Sequence, residues 1–104
     1  MSQENKQTAS EESQAQKPST SETRAYTLKV PLKNTDDTML TMLSFREPTV
    51  GDVIFAEENA SGRQAQVFAV LASMCGTPMD VFNTVKVRDL EAIMSLCEDW
   101  LGNL

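Results

Sequence analysis

Three groups of residues in this chain are of types that could do chemistry. Carboxylates stand side by side at Glu57–Glu58 and Glu98–Asp99, as a two-carboxylate hydrolase or a general acid–base pair would use them. Two cysteines, Cys75 and Cys97, would be nucleophiles if their thiolates were stabilised. The stretch "REPTVGD", Arg46 to Asp52, crowds a proline, a threonine, a glycine and an aspartate together in the manner of an active-site turn. None of the three is completed. The sequence has no histidine, so the commonest general base and metal ligand is missing, with every Ser–His or Cys–His pair. The paired carboxylates fall on solvent sides of helical patterns, and both cysteines fall among apolar residues, where a thiol stays inert and reduced. The few glycines form neither a phosphate-cradling loop nor a dinucleotide fingerprint. The expectation is a binding protein with no catalytic residues, metal or cofactor.

Charge narrows the class of partner. The net charge is −6, and Lys29, Lys33, Arg46, Arg63, Lys86 and Arg88 are scattered among acidic neighbours rather than gathered in a stripe. Neutralising phosphates needs such a stripe, so no nucleic-acid partner is expected. No apolar run approaches the roughly 18 residues of a membrane span, and residues 1–24 lack the apolar core of a signal peptide. The chain reads as a soluble cytosolic protein.

The elements that must position any binding surface follow from patterning. With 104 residues, 40% of them hydrophobic, there is room for one small core. Residues 1–24, "MSQENKQTASEESQAQKPSTSETR", hold no aromatic and no branched aliphatic side chain and read as a disordered polar tail. The folded part is 25–104. Tyr26, Leu28, Val30 and Leu32 alternate with polar residues as in a half-buried strand, and Pro31, without an N–H, belongs at a sheet edge or with its nitrogen toward solvent. "KNTDDT" turns the chain, and Met39–Arg46 returns antiparallel, giving a hairpin over about 25–46. On the returning strand Met39, Leu43 and Phe45 share one face, while Leu40 and Met42 place apolar side chains on the other. Either a helix or the tail shields that second face, or it is a self-association or partner surface.

Four helices are expected, over about 50–59, 62–75, 78–83 and 87–101. Val50, Val53 and Ile54 mark one side of the first. The second carries a core-facing stripe of Ala65, Phe68, Leu71, Ala72 and Cys75, with Val67, Val70 and Met74 nearly opposite. Apolar residues on both sides make it either the central helix or one that offers its second face to a partner. Val81 and Phe82 are the apolar residues of the third. In the last, Leu90, Ile93, Met94, Cys97, Trp100 and Leu101 align, and Trp100 closes the core. Thr49 with Asp52, Ser61 with Gln64, and Thr77 with Asp80 have capping-box spacing, with Pro78 suited to the first helical position. Within "REPTVGD", Pro48 holds Glu47 extended, Thr49 and Asp52 cap the helix that follows, and Gly51 marks a close backbone approach. The turn therefore reads as a structural joint between hairpin and helices. The fold class is α+β: an antiparallel hairpin on a bundle of three to four helices, after a disordered tail.

In order, "YTLKVPL", "LSFREPTVGD", "LASMCGTPMDVFNTV" and "VRDLEAIMSLCEDWLG" resemble the tail assembly chaperones of Mu-like, contractile-tailed bacteriophages over about residues 25–104. "FREPTVGDV" and "LASMCGTP" carry most of the likeness. The resemblance implies a non-enzymatic factor of the host cytoplasm, absent from the mature virion. It implies binding to the tape measure protein to keep it soluble, assistance to assembly of the tail tube protein, and often a longer form of the chain made by programmed frameshifting. Candidate partner-binding residues are Leu40, Met42, Val67, Val70 and Met74, and self-association through the sheet is a further expectation. Two other roles are weighed beside it: a structural tail completion or connector protein of the virion, and an acidic regulator that binds another protein.

Overall fold

The computed structural model describes residues 22–102. The tail expected over 1–24 therefore lies almost wholly outside the described residues. Thr23 and Arg24, assigned to it by composition, instead open the first strand.

Strand β1 spans Thr23–Lys33 and pairs antiparallel with β2, Met39–Arg46. Asn34, Asp36 and Asp37 make the turn between them, with the Thr38 amide bonded to Asp36 Oδ1. Register runs from Thr23 opposite Arg46 to Thr27 opposite Met42, then resumes at Leu32 opposite Leu40. The stretch Leu28–Pro31 thus bulges against a single residue of β2, and a bulge resets which side chains face the core. Leu28, Leu32, Leu43 and Phe45 are buried. Leu40, opposite buried Leu32, packs against the core, while Met39 and Met42 are exposed. Leu40, expected beside Met42 on a free face, is instead partly buried against the core, while Met42 stays exposed.

Helix α1, Val50–Asn59, packs on α2, Arg63–Cys75. The short α3, Met79–Phe82, leads to α4, Val87–Leu96, and α5, Glu98–Leu101. The hairpin on a helical bundle is the α+β arrangement that patterning implies. In the middle sits α2, whose Ala69, Val70, Leu71, Ala72 and Met74 are all buried. It packs on β2, α1 and α3, whereas α4 packs on β1. Gly76, at φ 67°, ends α2 in the left-handed conformation that glycine adopts without strain.

Several helix details depart from the expected pattern. α1 turns Asp52 and Ala56 inward and leaves Val50 and Ile54 exposed, so the side marked by Val50, Val53 and Ile54 is not its core face. α2 begins after Gly62, whose φ is 91°, and no side-chain cap from Ser61 is used. Pro78 is the N-cap of α3 rather than its first helical residue, and no side-chain cap bond is made there. Thr77, buried, accepts a bond from Cys75 Sγ instead, and Asp80 sits exposed in the first turn of α3. The last helix divides at Cys97. The Trp100 amide bonds to the Cys97 carbonyl, and the Leu96 carbonyl that a continuous helix would use accepts from Arg24 Nη1 at 2.9 Å.

Candidate functional site

Two buried carboxylates and one arginine hold the hairpin onto the helices, and together they decide which surface is left open. The first carboxylate lies in the joint "REPTVGD". Pro48 sits between the last residue of β2 and the first turn of α1, and Thr49 is the extended N-cap. A capping box forms there, with the Thr49 amide donating to Asp52 Oδ2 at 2.7 Å. Asp52 also receives both Nη groups of Arg46, each at 2.8 Å, and the hydroxyl of Ser73 from α2. A bidentate guanidinium–carboxylate pair on a nearly buried aspartate is a strong, directional contact. Arg46 holds the Asp52 carboxyl well below the usual carboxylate range against the opposing effect of burial, with Ser73 and the Thr49 amide adding to it. One side chain therefore ties the end of β2, the start of α1 and the last turn of α2. A Cβ built on Gly51 would meet only Thr49 Oγ1, at an ordinary 3.5 Å, so the close backbone approach expected of Gly51 is not present.

The second carboxylate, Asp89, is fully buried. It sits in the first turn of α4, where the helix dipole favours negative charge, but its bonds go to β1. Asp89 Oδ1 accepts from Tyr26 Oη at 2.7 Å and from the Lys29 amide at 3.0 Å, and Oδ2 accepts from the Val30 amide at 3.1 Å. Those amides belong to the bulge, which has lost its ladder partners, and Pro31 next to them has no donor to satisfy. Burial alone would raise the Asp89 pKa, but the bonds from Tyr26 and the two amides outweigh it and hold the carboxyl below its ordinary value.

Arg24 makes the third tie. Its guanidinium grips the Asp99 carboxylate at 2.7 and 3.0 Å, donates to the Leu96 carbonyl, and lies 3.7 Å from the centroid of the Trp100 ring. The start of β1 is thereby fixed to α5. Of the carboxylates considered for chemistry, Asp99 is engaged in this clasp, and Glu57, Glu58 and Glu98 are exposed. Cys75 and Cys97 are free thiols, with burial pushing both pKa values up. Among the described residues no group of histidine, cysteine, aspartate or glutamate side chains is arranged to hold a metal ion, and no helix is long and apolar enough to cross a membrane.

The helices, so held, leave an open groove of about 700 Å³ between α2 and the α4–α5 pair. Its apolar lining comes from Val67 and Phe68 on one wall and Met94 and Leu101 on the other, with Arg63 and Glu98 at the edges. A smaller hollow of about 190 Å³ adjoins it at Arg63 and Val67, against Val53 and Glu57 of α1.

The five residues expected to bind a partner are scattered by the fold. Val67 lines both hollows. Val70 and Met74, each 2% exposed, belong to the core, with Val70 also at the wall of the smaller hollow, so the second stripe of α2 is chiefly the mark of a central helix. Leu40 is packed against the core, and Met42, 52% exposed on β2, is not part of the groove lining. The groove residues Phe68, Met94 and Leu101 read as core positions in the helical pattern. Nothing in periodicity alone separates a core stripe from one that lines an open cleft.

The family model described as phage tail assembly chaperone proteins, E, or 41 or 14, matches residues 25–102. The chain belongs to this family of phage tail assembly chaperones. The match covers both strands from Ala25 onward and all five described helices, so the joint, the bulge contact and the groove lie within the chaperone domain. Membership points to a non-catalytic role among proteins of the phage tail. No curated protein and no solved structure matches the chain.

Proposed function

We propose that this tail assembly chaperone holds a helical segment of the phage tape measure protein in the groove between α2 and α4–α5. By covering apolar faces it keeps that long protein soluble in the host cytoplasm while tail tube subunits assemble around it. The observation that carries the reading is the open apolar floor of Val67, Phe68 and Met94 on an otherwise acidic chaperone. Helix-in-groove recognition needs such a strip, and a methionine on the wall adapts to segments of slightly different shape. A longer frameshifted form of the chain would share this domain, and the chaperone would leave before the particle is complete.

Co-expression with the tape measure protein tests this. The wild-type chain is expected to move the tape measure protein into the soluble fraction and to co-purify with it, and Val67→Asp or Met94→Asp to abolish both effects. A tape measure protein kept soluble equally well by folded groove variants would overturn the assignment. Mass spectrometry of purified particles tests the rest: a chaperone is absent from them, and a structural tail protein is present.

A further inference from the structure

The groove and the hollow that adjoins it together carry two carboxylates against one guanidinium. Glu98 lines the groove on the α5 side, and Glu57 lines the smaller hollow on the α1 side. Glu91 stands one turn before Ser95 on α4 and extends the edge that Ser95 and Glu98 form. Arg63 is the basic residue of the lining, and the chain as a whole carries −6. We infer that the groove takes a single amphipathic helix from another protein whose apolar strip is flanked by lysines or arginines. The inference rests on the chaperone reading above and specifies the chemistry of the segment recognised.

Two other occupants are disfavoured on the same grounds. A second copy could offer the exposed pair Val50 and Ile54 of α1, but that helix also carries Glu57 and Glu58 and has no basic residue in its last turn. Docking it would bring like charges together. Residues 1–21 contain no aromatic or branched aliphatic side chain, so they have no strip to lay on Val67, Phe68 and Met94. A separate basic amphipathic helix satisfies both requirements. The groove is lined on α2 by Arg63 to Phe68, a wall about 9 Å long at the helical rise, enough for about two turns of the incoming helix.

The test uses the full chain and three synthetic amphipathic peptides with the same leucine strip, flanked by lysine, glutamine or glutamate, read by fluorescence anisotropy. At low salt the lysine peptide is expected to bind about tenfold more tightly than the glutamine peptide, with the glutamate peptide weakest. The gap should close at high salt, since exposed charges are screened. The double variant Glu57→Lys, Glu98→Lys is expected to invert the order. Val67→Asp should abolish binding of all three peptides. Ser95→Trp, uncharged bulk at an exposed edge of the groove, provides a second groove variant should Val67→Asp fail to fold by circular dichroism. Equal binding of the lysine and glutamine peptides, lost in the groove variants, would overturn the basic flank and leave the groove standing. Binding indifferent to the groove variants, or no binding of any peptide, would overturn both.

Discussion

Replacing Asp89 by alanine removes a buried acceptor from three donors at once: Tyr26 Oη and the amides of Lys29 and Val30. The tyrosine hydroxyl is only half-buried and can turn to water, so it adds little to the loss. The two amides lie in the bulge, where the register with β2 is broken, and the ladder offers them no alternative. An unsatisfied buried donor costs about 1–3 kcal/mol. Removing the desolvation cost of the buried carboxylate offsets part of that, and for two amides the net loss is about 2–3 kcal/mol. For a domain of this size that is a fall in Tm of about 10–20 °C. Asp89→Asn keeps one acceptor oxygen but turns an NH2 toward the Val30 amide, and about half the loss is expected. Thermal and urea melts followed by circular dichroism measure both variants, with Val87→Ala, at a position 68% exposed, as the control. A loss in Asp89→Ala below about 0.5 kcal/mol, less than one hydrogen bond is worth, would refute the view that this side chain holds the bulge.

Three further outcomes follow from the same contacts. Asp52 and Asp89 both have folded pKa values below their unfolded ones, so each contributes stability that is complete above about pH 5 and lost as pH falls through the folded pKa. Urea midpoints should be flat near neutrality and decline in acid, with a shallower decline in Asp52→Asn. Gly51→Ala, with room for a Cβ in the first turn of α1, should raise stability by up to about 1 kcal/mol, whereas Gly76→Ala, at φ 67°, should lower it by about 1 kcal/mol, both read from urea midpoints. Arg24→Ala frees Asp99 and the Leu96 carbonyl together, and hydrogen exchange should show faster opening across α5 with little change in α1.

The hairpin and the helices are legible in the sequence because a period of two or of 3.6 residues states which side of an element is buried. Whether that side meets a core or a cleft depends on neighbours far along the chain, which is why Val70 and Met74 vanish into the interior while Val67 lines a groove. Asp89 stays hidden for a different reason. An aspartate in the first turn of an amphipathic helix reads as a partner of the helix dipole, and nothing local says that two amides sixty residues earlier need an acceptor. Arg24 closes a stretch of uniformly polar composition, so composition assigns it to a tail, although its contacts are with Asp99, Leu96 and Trp100. The division of the last helix at Cys97 has the same origin, since the carbonyl released there is bound by that distant guanidinium. The capping box at Thr49 and Asp52 was readable because both partners lie within one turn.

The tie between Arg24 and Asp99 spans 75 positions, and that has a consequence for the order in which the protein forms. During synthesis from the N-terminus the hairpin can pair as soon as β2 has emerged, but its bulge has no acceptor until Asp89 arrives and its leading strand has no anchor until Asp99 does. Contacts this far apart along the chain carry a loop-closure cost and form late. A two-stranded hairpin alone is marginal in water, so the pairing of β1 with β2 becomes secure only once the helices cover Leu28 and Phe45. The last turn of helix then closes the fold as a clasp, and the groove is finished at the same moment, because Glu98 and Leu101 of that turn complete the wall begun by Met94 and Ser95 of α4.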